Sequence, residues 1–178
     1  MSEIRIASRY AKSLIELANE QKSVEAVHAD MELLSATCKA SKELVIMLKS
    51  PIIHGDKKRQ VLENSFTDFN KLTRLFVETV IRKGREAYLP LIAKEAIRMY
   101  NEEHNIASAT VTTASPMDAK MMGEIRKTLE QKTGKKIVLE SEVDPNLIGG
   151  LVVRLGDSLF DASISKQLKN IKKELVLN

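Results

Sequence analysis

Apolar residues recur at steps of three and four through the first 105 positions, which is the period of an amphipathic helix. The first stripe, over residues 4–18, comprises Ala7, Tyr10, Ala11, Leu14, Leu17 and Ala18. After a polar break at 21–23, a second stripe comprises Val24, Val27, Met31, Leu34 and Cys38. Four further stretches with helical signals follow, so the pattern predicts six helical segments and places Cys38 in a core.

Proline, glycine and candidate capping residues divide these segments. The third helix is expected to end before Pro51, because the residue before a proline is forced out of the helical region. Asp56 is predicted to cap the fourth helix. The inner face of that helix is predicted to comprise Val61, Leu62 and Phe66.

The next helix is marked by Leu72, Leu75, Phe76, Thr79, Val80 and Lys83. Gly84 stands where this helix should stop, and Pro90 falls early in the sixth, where its missing N–H does no harm.

The pattern changes after the polar run at residues 101–105. Residues 106–113 alternate and are rich in β-branched side chains, which predicts a strand. Ser115 is expected to cap the helix that follows, and Gly134 to end it. The apolar positions of that helix are Met122, Ile125 and Leu129. Residues 137–143 alternate again and predict a second strand.

A hairpin and a helix are predicted for the end of the chain. Residues 147–155 and 158–161 are predicted as strands joined by a two-residue turn, Gly156-Asp157. The apolar face of the last helix comprises Ile164, Leu168, Ile171 and Leu175. The fold class is therefore predicted as α+β, with an N-terminal six-helix bundle at 1–105 and a small C-terminal α/β domain at 106–178.

Composition narrows the protein class. Hydrophobic residues make up 43% of the chain but aromatic residues only 4%, which predicts aliphatic cores. The net charge of +4 is spread evenly over both halves, which argues against a concentrated nucleic-acid footprint. A single cysteine excludes an internal disulfide framework. The chain has no apolar run of about 20 residues and no secretory or transit start, so we expect it in a cytosol-like compartment without membrane insertion.

Residues 156–159 spell Gly-Asp-Ser-Leu, the signature of a family of serine esterases. A serine nucleophile needs a neighbouring base, which in those esterases is a histidine near the C-terminus. Here His28, His54 and His104 all precede Ser158 and none follows it. Ser158 is therefore interpreted as an ordinary strand residue, and the esterase remains the enzyme alternative. Without a phosphate-binding glycine loop or a histidine cluster, we expect no catalytic residue, cofactor or metal.

Basic runs offer a second alternative. Lys57-Lys58-Arg59 and residues 82–85 lie at predicted helix ends, where basic and polar residues are routine. The lysines of the last helix are Lys166, Lys169, Lys172 and Lys173. RNA binding through these lysines would show an affinity that falls steeply with salt.

The apolar arc of the first helix, from Ile4 through Tyr10 to Ala18, is wider than one bundle face requires. Two interpretations stay open at this point. The helix either forms one wall of a groove for a partner's amphipathic helix or is central in its own bundle.

Several segments resemble the delta subunit of F-type ATP synthases, whose mitochondrial counterpart is the oligomycin-sensitivity-conferring protein. They are Ser-Arg-Tyr-Ala-Lys-Ser-Leu-Ile-Glu-Leu-Ala at 8–18, Leu-Lys-Ser-Pro at 48–51, and Arg-Lys-Gly-Arg at 82–85 with Leu-Pro at 89–90. The most specific block follows Asp144-Pro145. It comprises Gly149, Gly150, Arg154, Gly156, Asp157, Asp161, Ser163 and Leu168.

This resemblance implies a stator subunit, one copy per complex, at the cytoplasmic face of a bacterial membrane. The N-terminal domain would bind the catalytic head and the C-terminal domain the b subunits of the peripheral stalk, with no nucleic acid and no cofactor. An α-subunit N-terminal helix is expected against the first and fifth helices. The contact residues implied are Tyr10, Ala11, Leu14, Ala18, Leu75, Thr79 and Arg82.

Overall fold

Helices come first along the chain, and strands follow. We describe residues 3–156, 158–166, 168 and 169 of a computed structural model. Internal contacts divide the chain into two compact units, Met1–Asn101 and Glu102–Asn178. The α+β class predicted from the sequence is confirmed.

The N-terminal unit is helical. Its α-helices are α1 (Glu3–Glu20), α2 (Val24–Ala40), α3 (Lys42–Lys49), α4 (Gly55–Ser65), α5 (Lys71–Arg82) and α6 (Leu89–Glu103), with a 3-10 helix at Glu86–Tyr88. Each stretch predicted as helical carries one of them. Gly84, just past α5, has a positive φ of 65°, which is the conformation that a glycine stop provides.

The core of this unit is mostly aliphatic, and α1 contributes to it over most of its length. Four residues of α1 have no exposed surface: Ala7, Ala11, Leu14 and Ala18. The stripe of α2 packs into the same core, including Cys38 as predicted, and burial raises the pKa of the Cys38 thiol.

Two predictions for α4 are wrong. His54 is the N-cap, without a side-chain hydrogen bond, and Asp56 lies inside the first turn, where the positive end of the helix dipole favours an acid. Val61 is 43% exposed, because the buried face follows a step of four through Lys58, Leu62 and Phe66.

Lys58 is the unexpected member of that face. The sequence placed it in a basic run at a helix end, yet only 2% of its side chain is exposed. Its Nζ donates to the Leu48 carbonyl at 2.9 Å and to Glu86 Oε1 at 2.7 Å. A buried charge persists when it is paired and hydrogen-bonded. The Lys58 ammonium therefore joins α4 to the end of α3 and to the 3-10 helix.

A second polar contact fixes the start of α5. Asp30 on α2 accepts a hydrogen bond from the Asn70 backbone N–H at 2.9 Å. Asn70 in turn caps α5, its Oδ1 accepting from the Leu72 N–H at 2.9 Å. The position of α5 is thus tied to α2 by hydrogen bonds as well as by packing.

The C-terminal unit holds a mixed sheet with the strand order β2-β1-β3-β4. Its elements are β1 (Ile106–Thr113), α7 (Ala119–Thr133), β2 (Lys136–Val143), β3 (Gly150–Leu155) and β4 (Ser158–Ser163). β1 and β2 are parallel and connected through α7, while β3 pairs antiparallel with both β1 and β4. The buried residues are Ala109, Val111, Leu129, Ile137 and Val153.

Three predicted boundaries need correction here. Asp118, not Ser115, caps α7, because its side chain accepts from the Met121 N–H at 2.8 Å. β3 begins at Gly150 rather than residue 147, and β4 continues to Ser163 rather than ending at 161.

The last helix is seen only in part. Residues 164–166, 168 and 169 are helical. Asp157 of the predicted turn lies outside the described residues, as do Ile171, Lys172, Lys173 and Leu175 of the predicted helix faces.

Replacing Lys58 by Met should lower the free energy of unfolding of the N-terminal unit by about 3–5 kcal/mol, because the Glu86 side chain, only 15% exposed, loses its partner. All tyrosines, Tyr10, Tyr88 and Tyr100, lie in this unit and the chain has no Trp, so tyrosine fluorescence during urea unfolding reports on it alone. Lys57→Met, at the exposed neighbouring position, is the control. Equal effects of the two variants would contradict a stabilising role for the Lys58 ion pair.

Candidate functional site

α1 and α5 meet through an aromatic contact in the N-terminal unit. The rings of Tyr10 and Phe76 meet edge to face with centroids 6.4 Å apart. Leu17, two helical turns after Tyr10 on α1, is 42% exposed, and Leu75, next to Phe76 on α5, is 53% exposed. We call the half-exposed residues on these two flanks the α1/α5 strip: Tyr10, Leu17, Leu75, Phe76 and Thr79.

The helical period explains why these residues share one surface. Tyr10 and Leu17 are seven positions apart, which is two turns of a helix. Leu75, Thr79 and Arg82 follow steps of four and three along α5. The Thr79 hydroxyl donates to the Leu75 carbonyl at 2.8 Å, so this polar side chain is satisfied within its own helix.

The contact residues implied by the resemblance fall into two groups. Tyr10 and Thr79 are half-buried and Leu75 and Arg82 are exposed, so all four are available on this surface. The other three have no exposed area: Ala11, Leu14 and Ala18. A partner could touch those three only if the core of the unit opened, so their contact role stays a prediction.

The contact residues implied by the resemblance do not include Leu17 or Phe76. The seven-residue spacing of Leu17 from Tyr10 in the first stripe is the sequence signal that places both on one side of α1. The pattern places Phe76 on a helix face but gives it no partner. Its proximity to Tyr10 is a tertiary contact that no local pattern encodes.

Gly149 and Gly150 allow the start of β3 to approach the end of β4 closely. A Cβ at Gly150 would lie 2.4 Å from the Ala162 carbonyl oxygen, and the residue has a φ of +81°. A Cβ at Gly149 would lie 2.7 Å from Cδ1 of Ile164, whose N–H donates to the Gly149 carbonyl at 3.0 Å. Backbone atoms therefore leave no room for a side chain at Gly150, whereas a Cβ at Gly149 would meet only the end of the flexible Ile164 side chain.

Asp161 and Ser163 lie at the end of β4, directly before the last helix. The Ser163 N–H donates to Asp161 Oδ1 at 2.9 Å, and the Lys166 N–H donates to Ser163 Oγ at 3.2 Å. Hydrogen bonds from the Ser163 hydroxyl and backbone, aided by Lys166 and Lys169, hold the pKa of Asp161 below its ordinary value. Both residues therefore position the chain where it leaves the sheet.

The remaining signature residues lie nearer the surface. Arg154 is exposed and sits between Thr110 on β1 and Leu159 on β4. Gly156 adopts a φ of +54° at the turn after β3, and Leu168 is 56% exposed.

The serine and the histidines considered as candidate catalytic or metal-binding residues lie on different elements. Ser158 opens β4 opposite Leu155. His28 stacks on Tyr100 at 3.8 Å, and His54 begins α4. Within residues 3–156, 158–166 and 168–169, there is no group of three or more His, Cys, Asp or Glu that could hold a metal ion. In the same part of the chain, no helix combines the length and apolar character needed to cross a membrane.

Comparisons with known proteins agree along the whole chain. A family model described as "ATP synthase delta (OSCP) subunit" matches residues 6–175. The ATP synthase subunit delta of Christiangramia forsetii is 38% identical over 175 residues, covering 98% of this chain and 95% of the relative. That of Lactobacillus gasseri is 34% identical over 179 residues, covering 100% and 98%.

A chain in a cryo-EM structure of the Toxoplasma gondii mitochondrial ATP synthase hexamer has a similar fold. It aligns with a TM-score of 0.72 and 24% identity, over 96% of this chain and 97% of that one.

Gly150→Ala should destabilise the C-terminal unit by more than about 2 kcal/mol, because the added methyl overlaps backbone and the positive φ is strained. Amide hydrogen exchange across β3 and β4 should accelerate accordingly. Gly123→Ala is the matched control, since it sits within α7 with open space around it. Unchanged protection in Gly150→Ala would show that the junction tolerates a side chain.

Proposed function

The chain belongs to the ATP synthase delta (OSCP) subunit family, and we propose that it is a non-catalytic stator subunit. It links the peripheral stalk, formed by b subunits, to the α/β catalytic head. The head then resists the torque of the rotor during proton-driven ATP synthesis. In this proposal α1–α6 form the six-helix bundle that binds the head, and the C-terminal α/β domain binds the stalk.

The α1/α5 strip is the observation that supports the proposed binding to the catalytic head. It is a half-exposed apolar surface shared by two neighbouring helices, with Leu75 53% exposed beside the Tyr10–Phe76 contact. Such a surface accepts the apolar face of an amphipathic helix laid between the two. The proposed occupant is the N-terminal helix of an α subunit, which contacts Tyr10, Leu75, Thr79 and Arg82.

The mechanism is mechanical rather than chemical. A stator must stay bound while torque acts on it, so the useful property is a slow dissociation rate. Nanomolar affinity corresponds to about −12 kcal/mol, and specific interfaces typically bury roughly 1,200–2,000 Å². No residue has to transfer a proton, an electron or a phosphoryl group.

The proposed function also implies where the subunit lies in the cell. The subunit sits at the cytoplasmic face of the bacterial membrane as a peripheral part of the complex, in one copy, without a cofactor and without nucleic acid. Its contacts with the membrane-bound enzyme run through the stalk and the head.

A peptide of the cognate α-subunit N-terminus should bind the full chain tightly in isothermal titration calorimetry. Leu75→Asp should weaken this binding more than tenfold, because a charge replaces an apolar contact in the α1/α5 strip. Leu33→Asp is the matched control, since Leu33 is 49% exposed but lies on α2 outside the strip. Absence of binding at micromolar concentrations, or equal losses in both variants, would refute the head-binding surface.

A further inference from the structure

A cavity lies between α4 and α5 in the N-terminal unit. Gly55 at the start of α4 packs against Ile81 at the end of α5, since a Cβ on Gly55 would lie 3.2 Å from Ile81 Cγ2. The two helices therefore run antiparallel. The cavity between them measures 430 Å³, within the range of roughly 300–1,000 Å³ that is typical of small-molecule sites.

The floor of this cavity is apolar and closed. Its four residues are between 4% and 8% exposed: Leu62, Phe66, Phe69 and Val77. The rings of Phe66 and Phe69 stack with centroids 4.6 Å apart. We call the cavity above this floor the α4/α5 slot. Such a floor favours the apolar body of a ligand over a polar one.

Acidic residues lie along one part of the rim and share a basic partner. Arg59 Nε lies 4.0 Å from Glu63 Oε1, and Arg59 Nη1 lies 3.8 Å from Glu78 Oε1. These two carboxylates are the acidic groups that line the slot. Because both already face a guanidinium, this part of the rim does not attract a further anion.

The end of the slot near residues 66–70 carries cations without carboxylate partners. Lys71 forms no ion pair within the part of the chain that the structure describes. Arg74 donates through Nε to the Phe69 carbonyl at 2.9 Å and through Nη2 to the Thr67 carbonyl. A guanidinium has five N–H donors, so Arg74 retains donors for a ligand. Lys71 and Arg74 are three positions apart on α5, which makes them neighbours on the helix surface and gives this end a positive charge.

We propose that the α4/α5 slot binds a single-chain carboxylate of the fatty-acid class, and that its occupancy weakens binding at the α1/α5 strip. The alkyl chain covers the stacked rings of the floor, and the carboxylate meets Lys71 and Arg74. Arg59 and Phe66 are seven positions apart, or about 10 Å along α4, which accommodates an alkyl chain of medium length.

Leu75 connects the slot to the strip. It lines the slot, is 53% exposed, and is also a member of the α1/α5 strip. One side chain cannot present the same exposed area to two occupants, so the alkyl chain and a helix on the strip compete for it. The effect is reciprocal, because each ligand changes the affinity of the other by the same factor. This coupling rests on the proposed function, whereas binding of the carboxylate does not.

Calorimetric titration of the full chain with decanoate, below the concentration at which it forms micelles, tests the slot. Decanoate should bind, whereas acetate, which lacks the alkyl chain, and decylamine, which carries the opposite charge, should not bind at the same concentrations. Lys71→Gln should raise Kd for decanoate at least about fivefold, because a charge-assisted contact is lost.

Lys57→Gln is the matched control, since Lys57 is an exposed lysine of α4 that does not line the slot. It should change Kd for decanoate by less than about twofold, as is usual for a distant surface charge. No binding of decanoate, equal binding of decylamine, or equal effects of the two variants would overturn the slot.

A second titration tests the coupling. Saturating decanoate should raise Kd for the α-subunit peptide at least about threefold, which lies within the usual range of coupling between sites. Lys71→Gln should reduce this effect at the same decanoate concentration. It should leave the affinity for the peptide alone unchanged, because Lys71 is not part of the strip. Peptide affinity that decanoate does not change would overturn the coupling.

The outcomes separate this inference from the proposed function. If the chain binds the peptide but not decanoate, the slot is overturned and the stator function stands. If it binds decanoate but not the peptide, the head-binding surface and the coupling both fail, while the slot stands as a ligand site.

Discussion

Close packing along α1 constrains the rest of the N-terminal unit. Ala7, Ala11, Leu14 and Ala18 have no exposed surface, so neighbouring elements cover this face of α1 completely. Interiors packed this densely leave no space for a further helix on the same face. A partner that uses α1 must therefore contact its flank, where Tyr10 meets Phe76 of α5. The alanines of α1 are buried in the core, so the side of α1 near Tyr10 is the surface that a partner can reach.

Polar contacts then fix the elements around this core. The Lys58 ammonium joins α4 to the end of α3 and to the 3-10 helix, and Asp30 holds the start of α5. A buried ion pair adds little net stability over apolar packing, but breaking it is costly, so it selects one arrangement of the helices. In the C-terminal unit, Gly150 plays the corresponding part, because a side chain there would overlap the backbone at the end of β4.

The α1/α5 strip combines an exposed hydrophobic residue with close-packed support. Leu75 is 53% exposed beside Phe76, whose ring meets Tyr10 edge to face. The buried residues of α1 and α5 hold these side chains in place from the core side. A surface supported in this way can bind a partner without reorganising the core, which lowers the entropic cost of association.

The sequence alone determined the features that depend on local periodicity. The α+β class, the positions of the helices, strand 106–113 and the hairpin before Ser158 all follow from spacing and turn residues, as does the family from its motifs. Only the tertiary structure decided which surfaces stay open. Ala11, Leu14 and Ala18 proved to be closed off, Leu17 and Phe76 belong to the α1/α5 strip, and Lys58 is buried. Periodicity shows which face of a helix is apolar, but not which neighbour covers it. The partners of Lys58 lie 10 and 28 positions away along the chain, beyond the reach of any local pattern.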